Sequence, residues 1–257
     1  MTLNQAIVSG ALQGITEFFP ISSNGHLVIL HNLFNIEEPQ LAFDIFLHLG
    51  TLLSIFLFFW TDIVGLAKRE NRPMLLFIVV GSIPTAIIGI SFKDAVEKTF
   101  AMPMVAGYML MITGLWLILA SVIGRRNNSD GKGLTVSKSV AIGIAQGAAI
   151  MPGLSRSGLT IGTGMMAGLE RQVAFKFSFL LAIPAITGAG ILKVKDIYRA
   201  ILGKETLAFV IGAFTAAIVG LVVIRALLGV VKANRLYIFG IYCIVISSLV
   251  ISGVLRR

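Results

Sequence analysis

Two short stretches of this chain combine residue types that can handle an anion. The first runs Gln13-Gly14-Ile15-Thr16-Glu17 and continues through Phe18, Phe19 and Pro20 to Ile21-Ser22-Ser23-Asn24-Gly25-His26. The second is Pro152-Gly153-Leu154-Ser155-Arg156-Ser157-Gly158-Leu159-Thr160. Arg156 offers a rigid fork of donors matched to phosphate oxygens. Glu17 is a candidate general base, acting directly or through a metal-bound water. Ser23 is either a nucleophile or a phosphate ligand. His26 is the nearby group able to exchange a proton close to neutral pH. Gln13, Ser22, Asn24, Gly25, Ser155, Ser157, Gly158 and Thr160 are candidate phosphate-binding positions. The set fits hydrolysis of a phosphoanhydride: the group is positioned, its equatorial charge is stabilised, and a nucleophile is delivered. Glu17 is also the candidate metal position, because Mg²⁺ commonly uses one or two carboxylates together with phosphate oxygens.

Broken helices are the elements that would place these groups. Gln13 and Glu17 are four residues apart and so share a helix face. Pro20 ends that helix by removing a donor and restricting Phe19. Ser22, Ser23 and Asn24 are N-cap residue types, and Gly25 permits a tight turn before the next helix. A capped helix start presents free N–H groups and a positive dipole end, which suits phosphate. The second motif repeats this logic with the opposite charge.

The rest of the chain says what surrounds them. Of 257 residues, 56% are hydrophobic, and only 21 basic and 12 acidic side chains are present. The mean hydropathy is +0.93. A soluble domain of this size needs a charged shell that this composition does not supply, which excludes a soluble enzyme, a disordered chain and a nucleic-acid module. Cys243 is the only cysteine, so no intramolecular disulfide forms. The N-terminal residues, without Lys or Arg ahead of the apolar stretch, do not read as a cleaved signal peptide. A bilayer core needs roughly 20 apolar residues per helix. Runs of that kind are Ile45–Thr61, Pro73–Phe92, Thr99–Gly124, Phe177–Leu192, Thr206–Ile224 and Leu236–Leu255, the fourth extended back across Lys176. Residues 1–36 and 139–168 are apolar but interrupted, and read as re-entrant segments lining a cavity. The expectation is an all-α polytopic membrane protein with about six transmembrane helices and two re-entrant broken helices. Loops 62–72, 125–138, 170–176 and 225–235 carry 12 Lys/Arg against four acids. Residues 37–44, 93–98, 193–205 and the C-terminus carry eight against seven. The positive-inside rule places the first set in the cytoplasm, and the basic excess otherwise serves attraction to anionic membrane lipid rather than nucleic acid.

The chain also resembles itself. Gln13, Gly14, Ser22 and Gly25 recur 133 residues later as Gln146, Gly147, Ser155 and Gly158. Ala42-Phe43 echoes Ala174-Phe175 at 132, and the ten residues from Gly81 align with those from Gly212 at 131. A single integral membrane domain, 1–257, then divides into halves at about 1–125 and 135–257. An odd number of spans per half inverts the second half, and inverted repeats commonly set broken helices face to face near the midplane. Residues 17–26 and 152–160 are thereby expected to meet.

At these motifs the sequence resembles a family of integral membrane proteins, the bacitracin-resistance type undecaprenyl-diphosphate phosphatases. The resemblance spans essentially the whole chain. It is most specific in Gln13 to Leu27 and in Pro152 to Thr160. The family's first motif falls on Gln13, Glu17, Ser22, Ser23, Gly25 and His26, and its second on Pro152, Gly153, Ser155, Arg156, Ser157 and Thr160. Many members carry Glu where this chain has Gln13, which removes one carboxylate from any two-acid metal scheme. The resemblance implies removal of the terminal phosphate from a polyprenyl diphosphate, dependence on Mg²⁺ or Ca²⁺, a cell-membrane location and a site reached from the outer face. The released monophosphate would be recycled for cell-envelope polymer synthesis. A homodimer is a further expectation. A second membrane lipid-phosphatase family uses a histidine shortly after the arginine, and no histidine follows Arg156 here.

His31, His48 and the methionines at 102, 104, 109 and 111 read as structural, and Asp44 as a solvated residue at a span mouth. The rival class is a transporter or flippase of lipid phosphates, built from the same kind of repeat but needing no nucleophile.

Overall fold

A computed structural model describes residues 1–34, 41–99, 102–126, 133–202 and 205–254. Glu37 and Glu38, and loop residues 127–132, enter the charge argument above but lie outside the described residues. Every regular element among the described residues is helical.

The first broken segment is α1 (Leu3–Phe18) and α2 (Ser23–Leu33). Thr2 and Gln5 close a capping box at the start of α1, which satisfies two otherwise orphaned N–H groups. α1 stops where Phe19 turns extended, at ψ 136°, ahead of Pro20. Next come α3 (Leu41–Phe58), a short α4 (Trp60–Gly65), α5 (Arg72–Ser91), α6 (Lys93–Thr99) and α7 (Pro103–Arg126). The second broken segment is α8 (Val136–Ala148) and α9 (Arg156–Met166), capped by Thr135 and Ser155. α10 (Arg171–Leu192), α11 (Val194–Ile201), α12 (Thr206–Lys232) and α13 (Tyr237–Ile251) complete the order. Residues 93–98 and 193–205, expected as loops, thus contain the short helices α6 and α11. Their alternation of charged and apolar residues supports a helix lying along an interface.

Among the described residues, four helices are long and apolar enough to cross a membrane: those ending at Ser91, Arg125, Leu192 and Lys232, with mean hydropathies of 2.2, 2.0, 1.7 and 2.7. Two shorter apolar helices, Ala42–Phe58 and Tyr237–Ile251, make up the six expected segments. Large apolar side chains stand exposed along their outer faces, for example Leu76, Val79, Ile83 and Ile87 on α5. Water would penalise such a surface, whereas hydrocarbon does not, and each helix satisfies its backbone internally.

Packing joins the first helix of each broken segment to a distant span. α1 lies on α12, where Gly10 meets the backbone of Gly212, and α8 lies on α5, where Gly143 meets the backbone of Gly81. Neither contact leaves room for a Cβ, the close approach that small residues allow between membrane helices. The two contacts correspond, since Gly10 and Gly143 are 133 residues apart and Gly81 and Gly212 are 131 apart. A second pair corresponds likewise. Thr113 donates to the carbonyl of Gly153 at 2.9 Å, and Cys243 donates to the carbonyl of Pro20 at 3.8 Å. A cluster of Phe18, Phe59, Phe175 and Phe179 fills the interior beneath the two breaks.

Candidate active site

The two breaks form touching elbows, and one serine ties them. Ser22 adopts a left-handed backbone at φ 68°, a conformation costly to residues with a Cβ. Its Oγ accepts the N–H of Gly25 at 3.3 Å, capping α2, and the N–H of Gly153 in the other elbow at 3.1 Å. Gly153 itself stands at φ +97°, against the Ala106 carbonyl, where only glycine fits. In the second elbow, Ser155 Oγ accepts the N–H of Gly158 at 3.1 Å, so Ser22 and Ser155 cap α2 and α9 in the same way.

Ser23 and Arg156 are therefore the first residues of two helices whose N-termini converge. Between them lies the Glu17 carboxylate, from the last turn of α1 and only 7% exposed. Its Oε1 accepts Arg156 Nη2 at 2.5 Å. Its Oε2 accepts the Ser23 hydroxyl at 2.7 Å and Gln13 Nε2 at 3.1 Å. The Arg156 guanidinium also packs on the Phe179 ring, 5.8 Å from its centroid. Its Nη1 is buried and has no hydrogen-bond partner among the described residues. A buried donor left open in this way is costly unless a ligand completes it.

These groups sit on the wall of a cavity of about 630 Å³. Glu17, Ser22, Ser23, Asn24, Ser155 and Arg156 line its polar part. Beyond them the wall is apolar, formed by residues such as Leu49, Ala86, Ile90 and Ile186, and it reaches Lys93 and Lys193 after the ends of α5 and α10. Lys193 donates to Glu97 at 2.7 Å. This contact holds the Glu97 carboxyl below its ordinary range. Pro84 and Pro184 interrupt the hydrogen-bond ladders of the two walls, and Gln146 bridges them by donating to Thr85 Oγ1 at 3.3 Å and to the Leu181 carbonyl at 3.2 Å.

Not every expected residue reaches the cavity. Ser157 touches Ser155 Oγ at 3.3 Å, and Thr160 donates to the Arg156 carbonyl at 2.7 Å and meets Ser178 at 2.5 Å. With Gly158 at the cap, they brace Arg156 from behind. Gly25 packs against Gly153 at the elbow contact. His26 also turns away. Its Nδ1 lies 2.8 Å from the Ser22 carbonyl, which can only accept, so Nδ1 carries the proton. Its Nε2 then accepts from the Tyr242 hydroxyl at 2.9 Å, on α13. Both nitrogens are thus spent, Nδ1 on the strained Ser22 backbone and Nε2 on Tyr242. Tyr242→Phe is accordingly expected to cost about 1 kcal/mol of stability, with turnover held within severalfold of wild type. Loss of turnover at unchanged melting temperature would return His26 to the chemistry.

Two residues read as structural or solvated lie in the site instead. His48 Nε2 is 3.5 Å from Glu17 Oε2, and its Nδ1 is 2.8 Å from the Asp44 carbonyl. Asp44 lines the cavity with Oδ1 buried and without a hydrogen-bond partner, 3.8 Å from His31 Nε2. Asp44 and His48, four apart in an apolar span, share a face, and ionisable residues within a span are functional candidates by default.

The metal expectation at Glu17 does not fit this geometry. Both carboxylate oxygens already carry donors, and a cation there would abut the Arg156 guanidinium. The described residues also contain no cluster of three or more His, Cys, Asp or Glu that could hold an ion.

A helical membrane protein with two helix N-termini, an arginine and a hydroxyl converging on one buried carboxylate defines a class: intramembrane anion-handling proteins. The family follows from comparison. Residues 6–249 match the family described as Bacitracin resistance protein BacA, and the chain belongs to that family. It is 40% identical over 277 residues to the undecaprenyl-diphosphatase of Desulforapulum autotrophicum, covering 98% of this chain and 99% of that one. It is 42% identical over 245 residues to the protein of that name from Thermodesulfovibrio yellowstonii, covering 93% of each. The corresponding figures for Methanosphaera stadtmanae are 39%, 272 residues and 96% of each.

Proposed function

We propose that this chain hydrolyses undecaprenyl diphosphate to the monophosphate and inorganic phosphate, recycling a lipid carrier and giving resistance to bacitracin. The observation that carries this reading is Arg156, with its buried and unpartnered Nη1, beside Glu17, Ser22 and Ser23 on the wall of a mostly apolar cavity. A terminal phosphate would complete that donor, while the first prenyl units would lie along α5 and α10. The relatives' shared name supports the same substrate.

In this reading Ser23 Oγ attacks the terminal phosphorus and its proton passes to Glu17 Oε2, 2.7 Å away. The bond from phosphorus to the bridging oxygen breaks, and the lipid monophosphate leaves with that oxygen. Water then attacks the phosphoserine, phosphate departs, and Ser23 regains a proton. Arg156 and the N-termini of α2 and α9 stabilise the developing charge throughout. Any Mg²⁺ or Ca²⁺ the reaction uses would be held by oxygens of the diphosphate rather than by the chain, where it would offset phosphate charge.

The matched contacts of Gly10 with Gly212 and Gly143 with Gly81 support two inverted halves, 1–125 and 135–257. The cavity reaches Lys93 and Lys193, which belong to the loop set with the smaller basic excess. With the positive-inside rule, that supports access from the outer face.

The test is phosphate release by purified protein in detergent from prenyl diphosphates of several lengths. Release without any membrane gradient is the expected result, and its absence would favour the transporter reading. Chelator is expected to stop release, while titration calorimetry with Mg²⁺ alone is expected to show no binding to the substrate-free protein.

A further inference from the structure

We propose that His48 is the second proton acceptor of this site, receiving through Glu17 the proton that the nucleophile gives up. The inference rests on the phosphatase reading above, and it begins with the surroundings of one atom. Glu17 Oε2 has three polar neighbours among the described residues: the Ser23 hydroxyl at 2.7 Å, Gln13 Nε2 at 3.1 Å and His48 Nε2 at 3.5 Å. The first two are donors in this arrangement. Only the third can present a lone pair. His48 Nδ1 lies 2.8 Å from the Asp44 carbonyl, an acceptor, so Nδ1 keeps its hydrogen, and in the neutral form of the ring the lone pair of Nε2 faces Oε2.

Hydrolysis through a phosphoserine calls on a base twice, once for the serine and once for water. When Ser23 Oγ bonds to phosphorus, its proton goes to Oε2 and on to His48 Nε2. The bridging P–O bond breaks and its electron pair leaves with the lipid monophosphate. Glu17 is then again a carboxylate, able to take a proton from the attacking water. As the new P–O bond forms and the Ser23 Oγ–P bond breaks, that second proton passes from Glu17 to the serine oxygen. The imidazolium releases the first proton to water. The overall products are monophosphate, inorganic phosphate and the proton that hydrolysis of a diphosphate liberates near neutral pH.

The surroundings of His48 suit a group that changes charge. Its side chain is 24% exposed, so the cavity admits water to it. From α1 it faces Glu17, and through Glu17 it faces Arg156 on α9. On its own helix lies Asp44, beside His31 of α2. The stretch of α12 packed on α3, Gly212–Gly220, contains no charged residue. Lys93, Glu97 and Lys193 share the cavity farther out.

The experiment measures kcat and KM of full-length wild type, His48→Ala and His48→Gln from acid to alkaline pH, with and without added imidazole. Wild-type kcat is expected to rise with pH along a limb that depends on His48. His48→Ala should lower kcat by about 10²-fold, the lower range for a lost proton-transfer group, with KM little changed. The histidine-dependent limb should vanish in both variants. Imidazole should restore His48→Ala in part and leave His48→Gln unaffected. His48→Gln retains side-chain volume and carries the test where the alanine variant fails to fold. Wild-type rates in both variants, or slowed rates with an unchanged pH profile and no rescue, would overturn the inference. Those results leave the phosphatase reading standing, which fails instead if the wild-type protein releases no phosphate.

Discussion

Arg156→Ala is expected to lose on the order of 10³-fold in kcat, the cost of removing a preorganised donor from a developing anion. Arg156 lines the cavity, holds Glu17 with one nitrogen and keeps Nη1 buried without a partner, so its removal deletes a phosphate clamp and unpairs a buried carboxylate together. The second effect should lower stability by about 3 kcal/mol, as for any buried pair that loses one member. The two losses separate in a double variant. Adding Glu17→Ala to Arg156→Ala should recover much of the melting temperature and none of the turnover. Arg156→Lys keeps the charge without the planar fork; it should fold and still lose most of the activity. An Arg156→Ala protein that released phosphate at the wild-type rate would sink the site assignment.

Ser23→Ala carries the other large effect. As the nucleophile, Ser23 should cost about 10⁴-fold or more, the scale seen when a reacting residue is deleted. As a mere phosphate ligand it would cost only the ~1–3 kcal/mol of one charge-assisted hydrogen bond. Stability should change little, because Glu17 keeps Arg156 and Gln13. Acid quenching of wild type during turnover with diphosphate labelled at its terminal phosphorus should trap label on Ser23. Failure to trap any label, together with a loss below about 10²-fold, would give the attack to water.

Much of this architecture is legible in the sequence because the bilayer makes polarity scarce. Glu17 and Arg156 stand out in apolar stretches, and Pro20, Ser22 and Ser155 mark the breaks that position them. What the sequence hides is rotation. His26 is adjacent to the reactive cluster in the chain, yet the start of α2 turns its ring toward Tyr242. His48 is remote in the chain, yet packing of α3 sets it against Glu17. Periodicity tells which residues share a face, and tertiary packing alone tells what that face meets. A signal was available all the same: Asp44 and His48 are ionisable residues four apart at an otherwise apolar span. The helices α6 and α11 were hidden differently, since charge density alone made Lys93–Thr99 and Val194–Ile201 look like loops.

The crossed packing of α1 on α12 and of α8 on α5 has a consequence for how the protein is made. α1 leaves the ribosome first, but its partner span begins only at Thr206. Until that span is in the bilayer, the glycine face around Gly10 and Gly14 lacks the helix it packs against. A chain cut short before Thr206 therefore lacks the helix on which α1 closes. Among the described residues, the last long apolar helix in the chain is the one that packs the first in place.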